Sequence, residues 1–129
     1  MLARRAVSFD HVLGQPTAVA TIQHALRAGR VHHAYRFEGP DGVGKELLAL
    51  ALARALVCTG GDVLGCERCD ACRRAATFST EPPVVPLHPD ITILERGLYA
   101  PETIGRSRPE TSELSVDQVR RLVLARAGF

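Results

Sequence analysis

Apolar residues recur at three- and four-residue spacing through Val19, Ile22 and Leu26, with Pro16 near the start of the run and Gly29 just past its end. That spacing, with Pro early and Gly late, predicts an amphipathic helix over residues 15–28. Tyr35 and Phe37 then alternate with polar neighbours across residues 34–38, which predicts a short strand, broken at once by Gly39-Pro40-Asp41-Gly42. From Gly44 to about Val57 the chain is Leu- and Ala-rich on nearly every side, the pattern of a helix buried rather than surface-lying.

Farther along, four prolines (Pro82, Pro83, Pro86 and Pro89) predict an extended loop, and the β-branched residues 91–94 predict a second strand. Residues 96–112 mix Gly, Pro, Ser, Thr and charge and read as a connection. A last helix is expected over residues 115–127. There Ser115 and Gln118 form an S-x-x-Q capping box, and Val116, Val119, Leu122 and Val123 share a face. A parallel sheet covered by helices on both faces needs about five strands, and only two are evident. The chain is therefore expected to be a piece of a longer domain.

Composition narrows the function classes. In 129 residues, 16 Lys and Arg stand against 14 Asp and Glu, a net charge of +2, so no basic grip for nucleic acid covers the whole surface. Aromatics are only 5%, with no Trp, which argues against a base-stacking platform. The longest apolar stretch, residues 47–58, is interrupted by Arg54 and is shorter than the roughly 20 residues a bilayer span needs. No continuous apolar run follows the N-terminal arginines, so a secretory signal is not expected and a cytoplasmic setting is.

Two motifs carry chemistry. Gly39-Pro40-Asp41-Gly42-Val43-Gly44-Lys45-Glu46 matches the phosphate-binding loop G-x-x-x-x-G-K between a strand candidate and a helix. Its backbone N–H groups and the helix N-terminus suit a phosphate, and Lys45 adds a full positive charge. The next position normally carries the Ser or Thr hydroxyl that ligates magnesium, and here it is Glu46. A carboxylate about 4 Å from a phosphate, at an effective dielectric near 20, costs on the order of 4 kcal/mol. ATP with Mg2+ is therefore expected to bind weakly, if it binds, and to be hydrolysed weakly or not at all; no catalytic residue is assigned.

The second motif is Cys58-x7-Cys66-x2-Cys69-x2-Cys72, four sulfurs from one short segment. Two-residue gaps let cysteines point at a common centre, and zinc takes four thiolates tetrahedrally, leaving no open position for catalysis. A structural zinc is expected. Disulfides, or a redox pair at either Cys-x-x-Cys, are the competing uses.

These residues together resemble the N-terminal part of the bacterial DNA polymerase III clamp-loader subunits, AAA+ proteins of the delta prime and gamma/tau type. Residues 9–15 look like the family's entry segment, residues 29–35 like its run into the first strand, and a four-cysteine module soon after the phosphate-loop helix is the most specific combination. His88-Pro89-Asp90 and residues 114–120 look like delta prime, and Glu46 agrees, whereas gamma/tau carries Thr there and hydrolyses ATP.

The resemblance implies an α/β fold, a P-loop NTPase (AAA+) core with a partial parallel sheet, flanking helices and an inserted four-cysteine zinc knuckle. It implies one unit, residues 1–129, forming the N-terminal part of that domain, with the zinc insertion at about 58–76. It further implies a largely non-hydrolysing stator for DNA replication. Its partners would be the gamma/tau and delta subunits and, through the complex, the sliding clamp and primer–template DNA; no membrane is involved. The alternatives are an ATP-hydrolysing subunit of gamma/tau type, a small kinase-type enzyme, and a zinc-ribbon nucleic-acid binder using Arg68, Arg73 and Arg74. In the last of these Glu67 and Asp70 offset the basic charge.

Overall fold

The computed structural model describes residues 2–4, 7–109 and 113–126, with side chains from residue 7 onward. Helix α1 (Pro16–Arg27) has Pro at its first position, where the missing N–H and fixed φ cost nothing. It ends in a Schellman turn: Gly29 has φ of +66°, its N–H donates to Leu26 O, and Arg30 N–H donates to Ala25 O at 2.9 Å. Both ends lie within a residue of the sequence expectation. Helix α2 (Lys45–Val57) likewise follows it.

The all-round apolar surface of α2 is explained by what flanks it. One face, through Leu48, Ala51, Leu52 and Ala55, packs with Phe9, Val12, Ile22 and Leu26 of the N-terminal turn and α1. Another, through Leu50, packs with Val7, Ala76 and Phe78. Helix α3 (Asp70–Ala76) leads directly into β2 (Thr77–Ser79), which pairs antiparallel with β1 (Leu2–Arg4) in the register Leu2 to Ser79, Ala3 to Phe78 and Arg4 to Thr77. Phe78 also bridges Pro86 on the other side, so β2 is central.

Three secondary-structure expectations are corrected. This two-stranded antiparallel ribbon is the only sheet among the described residues. Residues 34–38 and 91–94, expected as strands, form no ladder. A strand is defined by its hydrogen-bonded neighbour, which side-chain alternation cannot supply. The alternation itself is real: Tyr35 and Phe37 are half-buried, Arg36 and Glu38 exposed, and the two rings stack 6.4 Å apart at 9°. That separation is close to the rise of two extended residues, about 6.6 Å. His32 packs edge-on against Tyr35.

The third correction concerns the last helix. Helix α4 (Val116–Gln118) starts where expected, with Ser115 Oγ accepting from Gln118 N, but continues as a π-helix over Val119–Leu124. Its i→i+5 bonding is seen from Ala125 N to Arg120 O. Gln118 and Leu122 are buried, while Val116 and Val123 lie exposed, so Val116, Val119, Leu122 and Val123 do not form one buried face. The expected end at Ala127 lies outside the described residues. Among the described residues no helix is long and apolar enough to cross a membrane.

Candidate functional site

Helix α2 joins two candidate sites, one at each end, separated by about 20 Å of helix at 1.5 Å per residue. The N-terminal end is the glycine loop. Gly44 caps the helix with φ of +97°, a conformation that L side chains rarely adopt, and a Cβ there would press on Val12 Cγ1 at 3.3 Å. Lys45 folds back over the loop: its Nζ donates to Gly39 O at 2.5 Å and lies 4.0 Å from Asp41 Oδ1. The ammonium is thus held where a phosphate would compete for it. Glu46 is exposed in the first turn, where its charge complements the helix dipole.

Beside the loop is a cavity of about 230 Å³ whose walls include Val12, Gln15, Ala18, Phe37, Val43 and Lys45. Its apolar walls come from the N-terminal turn, α1 and the stacked aromatic segment. Its polar lining is Lys45 of the loop together with Gln15, Arg36 and Glu38.

The C-terminal end of α2 is Cys58, the helix's C-cap, and the structure brings it together with Cys66, Cys69 and Cys72. The four sulfurs lie within 4.8 Å of one another, and Cys69 Sγ is 4.0 Å from Cys58 Sγ. A tetrahedron with metal–sulfur bonds near 2.3 Å has edges of about 3.8 Å, so the donor set fits a tetrahedral thiophilic cation. None of the four is in a disulfide. His88 is not among them: it is buried elsewhere, accepting from Asp90 N.

Backbone N–H groups already face these sulfurs. Cys66 N donates to Cys58 Sγ at 3.3 Å, Arg68 N and Cys69 N to Cys66 Sγ at 3.4 and 3.2 Å, and Cys72 N to Cys69 Sγ at 3.3 Å. Such donors favour the thiolate. The Cys72 and Thr59 amides hold the Cys69 thiol down at about 5. At Cys58 burial opposes ionisation, yet the amides of Cys66 and Gly60 outweigh it and the net shift is downward. Cys72, the buried member, is pushed up to about 12, first by that burial.

Sequence reasoning missed two contributors here. One is the space at Gly60, beside the cluster, where a Cβ would collide with Cys66 Sγ. Arg54, noticed only as an interruption of an apolar run, is buried and reaches the cysteine turn, with Nη2 3.1 Å from Glu67 Oε1. A lone Arg inside an otherwise apolar buried helix was the available signal. Arg73 and Arg74 are exposed on α3, Arg74 3.9 Å from Asp70, so that basic pair is a solvated helix face.

Known proteins bear on this pair of sites. A family model described as DNA polymerase III, delta subunit, matches residues 14–126. DNA polymerase III subunit gamma/tau of Mycobacterium tuberculosis is 45% identical over 69 residues, 53% of this chain and 12% of the relative. DNA polymerase III subunit tau of Escherichia coli is 43% identical over 76 residues, 57% of this chain and 12% of the relative. The chain thus aligns with only about an eighth of the length of these relatives. No solved structure matches it significantly. With a phosphate loop and a four-cysteine cluster at opposite ends of one helix, and a family model matching most of its length, the chain belongs to the DNA polymerase III delta-subunit family.

Proposed function

We propose that this protein is a clamp-loader subunit of DNA polymerase III of the delta prime type, a stator that helps open the sliding clamp and load it on primed DNA in the cytoplasm. On this reading residues 1–129 form the N-terminal part of an AAA+ domain, and the zinc insertion spans about residues 58–76. The gamma/tau and delta subunits are its direct partners, and the clamp and primer–template DNA are reached through them. The observation that carries the reading is Glu46 at the position after Lys45, exposed in the first turn of α2, with the Lys45 ammonium already bonded to the Gly39 carbonyl. The loop Gly39, Pro40, Asp41, Gly42, Val43, Gly44, Lys45 and Glu46 keeps the shape of a phosphate cradle. It lacks the alcohol that would hold magnesium, and it carries an anion that repels the phosphates.

In this role the residues act as architecture. Cys58, Cys66, Cys69 and Cys72 would hold a structural zinc, which when bound supplies four metal–sulfur bonds in place of a large hydrophobic core. That staples α2 to α3 and so to the β1–β2 ribbon. The 230 Å³ cavity beside Val12 and Phe37 is where a nucleotide base would sit if the cradle were filled.

A gamma/tau-type subunit that hydrolyses ATP is the second reading, favoured by the names of the relatives above. Steady-state ATP turnover and magnesium-dependent nucleotide binding by the purified protein separate the two. The stator reading expects turnover at background, unchanged by Lys45→Ala. Robust turnover that collapses with Lys45→Ala would replace it with the gamma/tau reading.

A further inference from the structure

Burying a guanidinium is costly unless its donors are used, and Arg54 is only 5% exposed. One nitrogen, Nη2, bonds the Glu67 carboxylate, while Nε is buried with no hydrogen-bond partner among the described residues. Both partners of that pair are placed at the cysteine cluster. Arg54 lies one turn before Cys58, whose N–H donates to its carbonyl at 3.1 Å. Glu67 lies inside the Cys66–Cys69 turn.

The turn is strained at that residue. Glu67 has φ of +63°, the only positive value outside glycine among the described residues. This conformation is what brings the next two N–H groups, of Arg68 and Cys69, onto Cys66 Sγ. The chain entering the turn is also close to the arginine: a Cβ on Gly65 would sit 3.6 Å from Arg54 Nε. Finally, four thiolates around a divalent cation carry a net charge of −2, and Arg54 is the buried cation at its edge.

We propose that Arg54 is a positioning residue for the metal centre: through Glu67 it holds the Cys66–Cys69 turn against α2 in its ligand-presenting shape, and its buried charge offsets that of the thiolate set. The inference rests on the metal reading given above. It also gives a reason for a buried, partly unsatisfied arginine among the Leu and Ala residues of α2. Outer-shell partners of metal ligands commonly contribute ten- to hundredfold to metal affinity.

The test uses the whole chain loaded with Zn2+ or with Co2+ as a spectroscopic probe. Arg54→Met keeps the stem's volume and removes the fork and charge; Zn2+ affinity, measured against a chromophoric chelator, is expected to fall ten- to hundredfold, with a weakened or shifted Co2+ d–d band. Arg54→Lys is expected to recover part of the affinity, because charge without the fork restores only one of the two effects. Glu67→Gln should fall between Arg54→Met and the parent. Its side chain is 53% exposed, so it leaves the core intact and carries the test even where Arg54→Met does not fold. Variants matching the parent within twofold, with the same Co2+ spectrum, would assign Arg54 to core packing alone and overturn the proposal. A parent chain that takes up neither metal would overturn the metal reading itself, a separate outcome.

Discussion

The two ends of α2 solve the problem of holding a charged group in opposite ways. At the N-terminal end the phosphate-facing groups of the loop are mostly backbone, the loop is largely exposed, and its own cation, Lys45, bonds a carbonyl of the same loop. At the C-terminal end four soft side chains already converge, backbone N–H groups already point at them, and a buried arginine braces the turn. On the proposed reading, the first site would have to rearrange a side chain to accept a phosphate, whereas the second would only exchange protons for a cation. On that reading, preorganisation is what separates the two ends.

The largest effect that could break this comparison is metal removal. In isolated zinc peptides the metal contributes on the order of 10 kcal/mol to folding. Chelation is expected to lower the thermal midpoint and to expose amides of residues 58–76 to hydrogen exchange, while α1 and the first turns of α2 stay protected. An unchanged midpoint after verified metal loss would make the two ends equivalent. Next, Leu48→Ala removes a side chain only 3% exposed beneath the phosphate loop and should cost about 2–5 kcal/mol in denaturant unfolding. Leu56→Ala, farther along the same helix but 56% exposed, should cost well under half as much.

Glu46→Thr restores the alcohol and deletes a repulsion that the exposed position of Glu46 screens to well below its close-contact value, so fluorescent-ATP affinity in magnesium should rise roughly tenfold, about 1.4 kcal/mol. No change would mean that the Lys45–Gly39 bond, not the carboxylate, keeps the cradle shut.

The pH dependence sharpens the other end. At pH 7 Cys69, held at about 5, is a thiolate, while Cys72, at about 12, keeps its proton until a metal displaces it. Zn2+ affinity should therefore rise with pH, about tenfold per unit for each proton displaced, and titration in weak buffer should release acid. In the metal-free chain the depressed Cys69 contributes stability that is present above its ordinary 9.0 and lost as pH falls through about 5. The raised Cys72 works the other way, with stability present below 9.0 and lost as pH climbs toward 12. A flat affinity profile from pH 6 to 8 would contradict this assignment.

Much of this molecule was legible one segment at a time. Helices α1 and α2 follow from apolar spacing, Pro16 and Gly29, because helical hydrogen bonds close within the segment that carries the pattern. The phosphate loop and the cysteine spacing are likewise local and were readable as candidate sites, as was Glu46 as a departure. Illegible were the features whose partner lies far along the chain. Residues 77–79 form a strand because residues 2–4 lie beside them, while residues 34–38 alternate as a strand does and form none for want of a neighbour.

Gln118 looked like half of a capping box. Its carboxamide also engages both backbone groups of Glu95, 23 residues away, with Nε2 donating to Glu95 O at 2.7 Å and Oε1 accepting from Glu95 N at 3.3 Å. Sequence by itself determined helices α1 and α2, the glycine-rich loop and the identity of four sulfur donors, since each is encoded by near neighbours. Tertiary structure alone decided the ribbon, the exposure of Val116 and Val123, and the burial of Arg54 against the cysteine turn. Those depend on which distant surfaces meet, and no local periodicity records that.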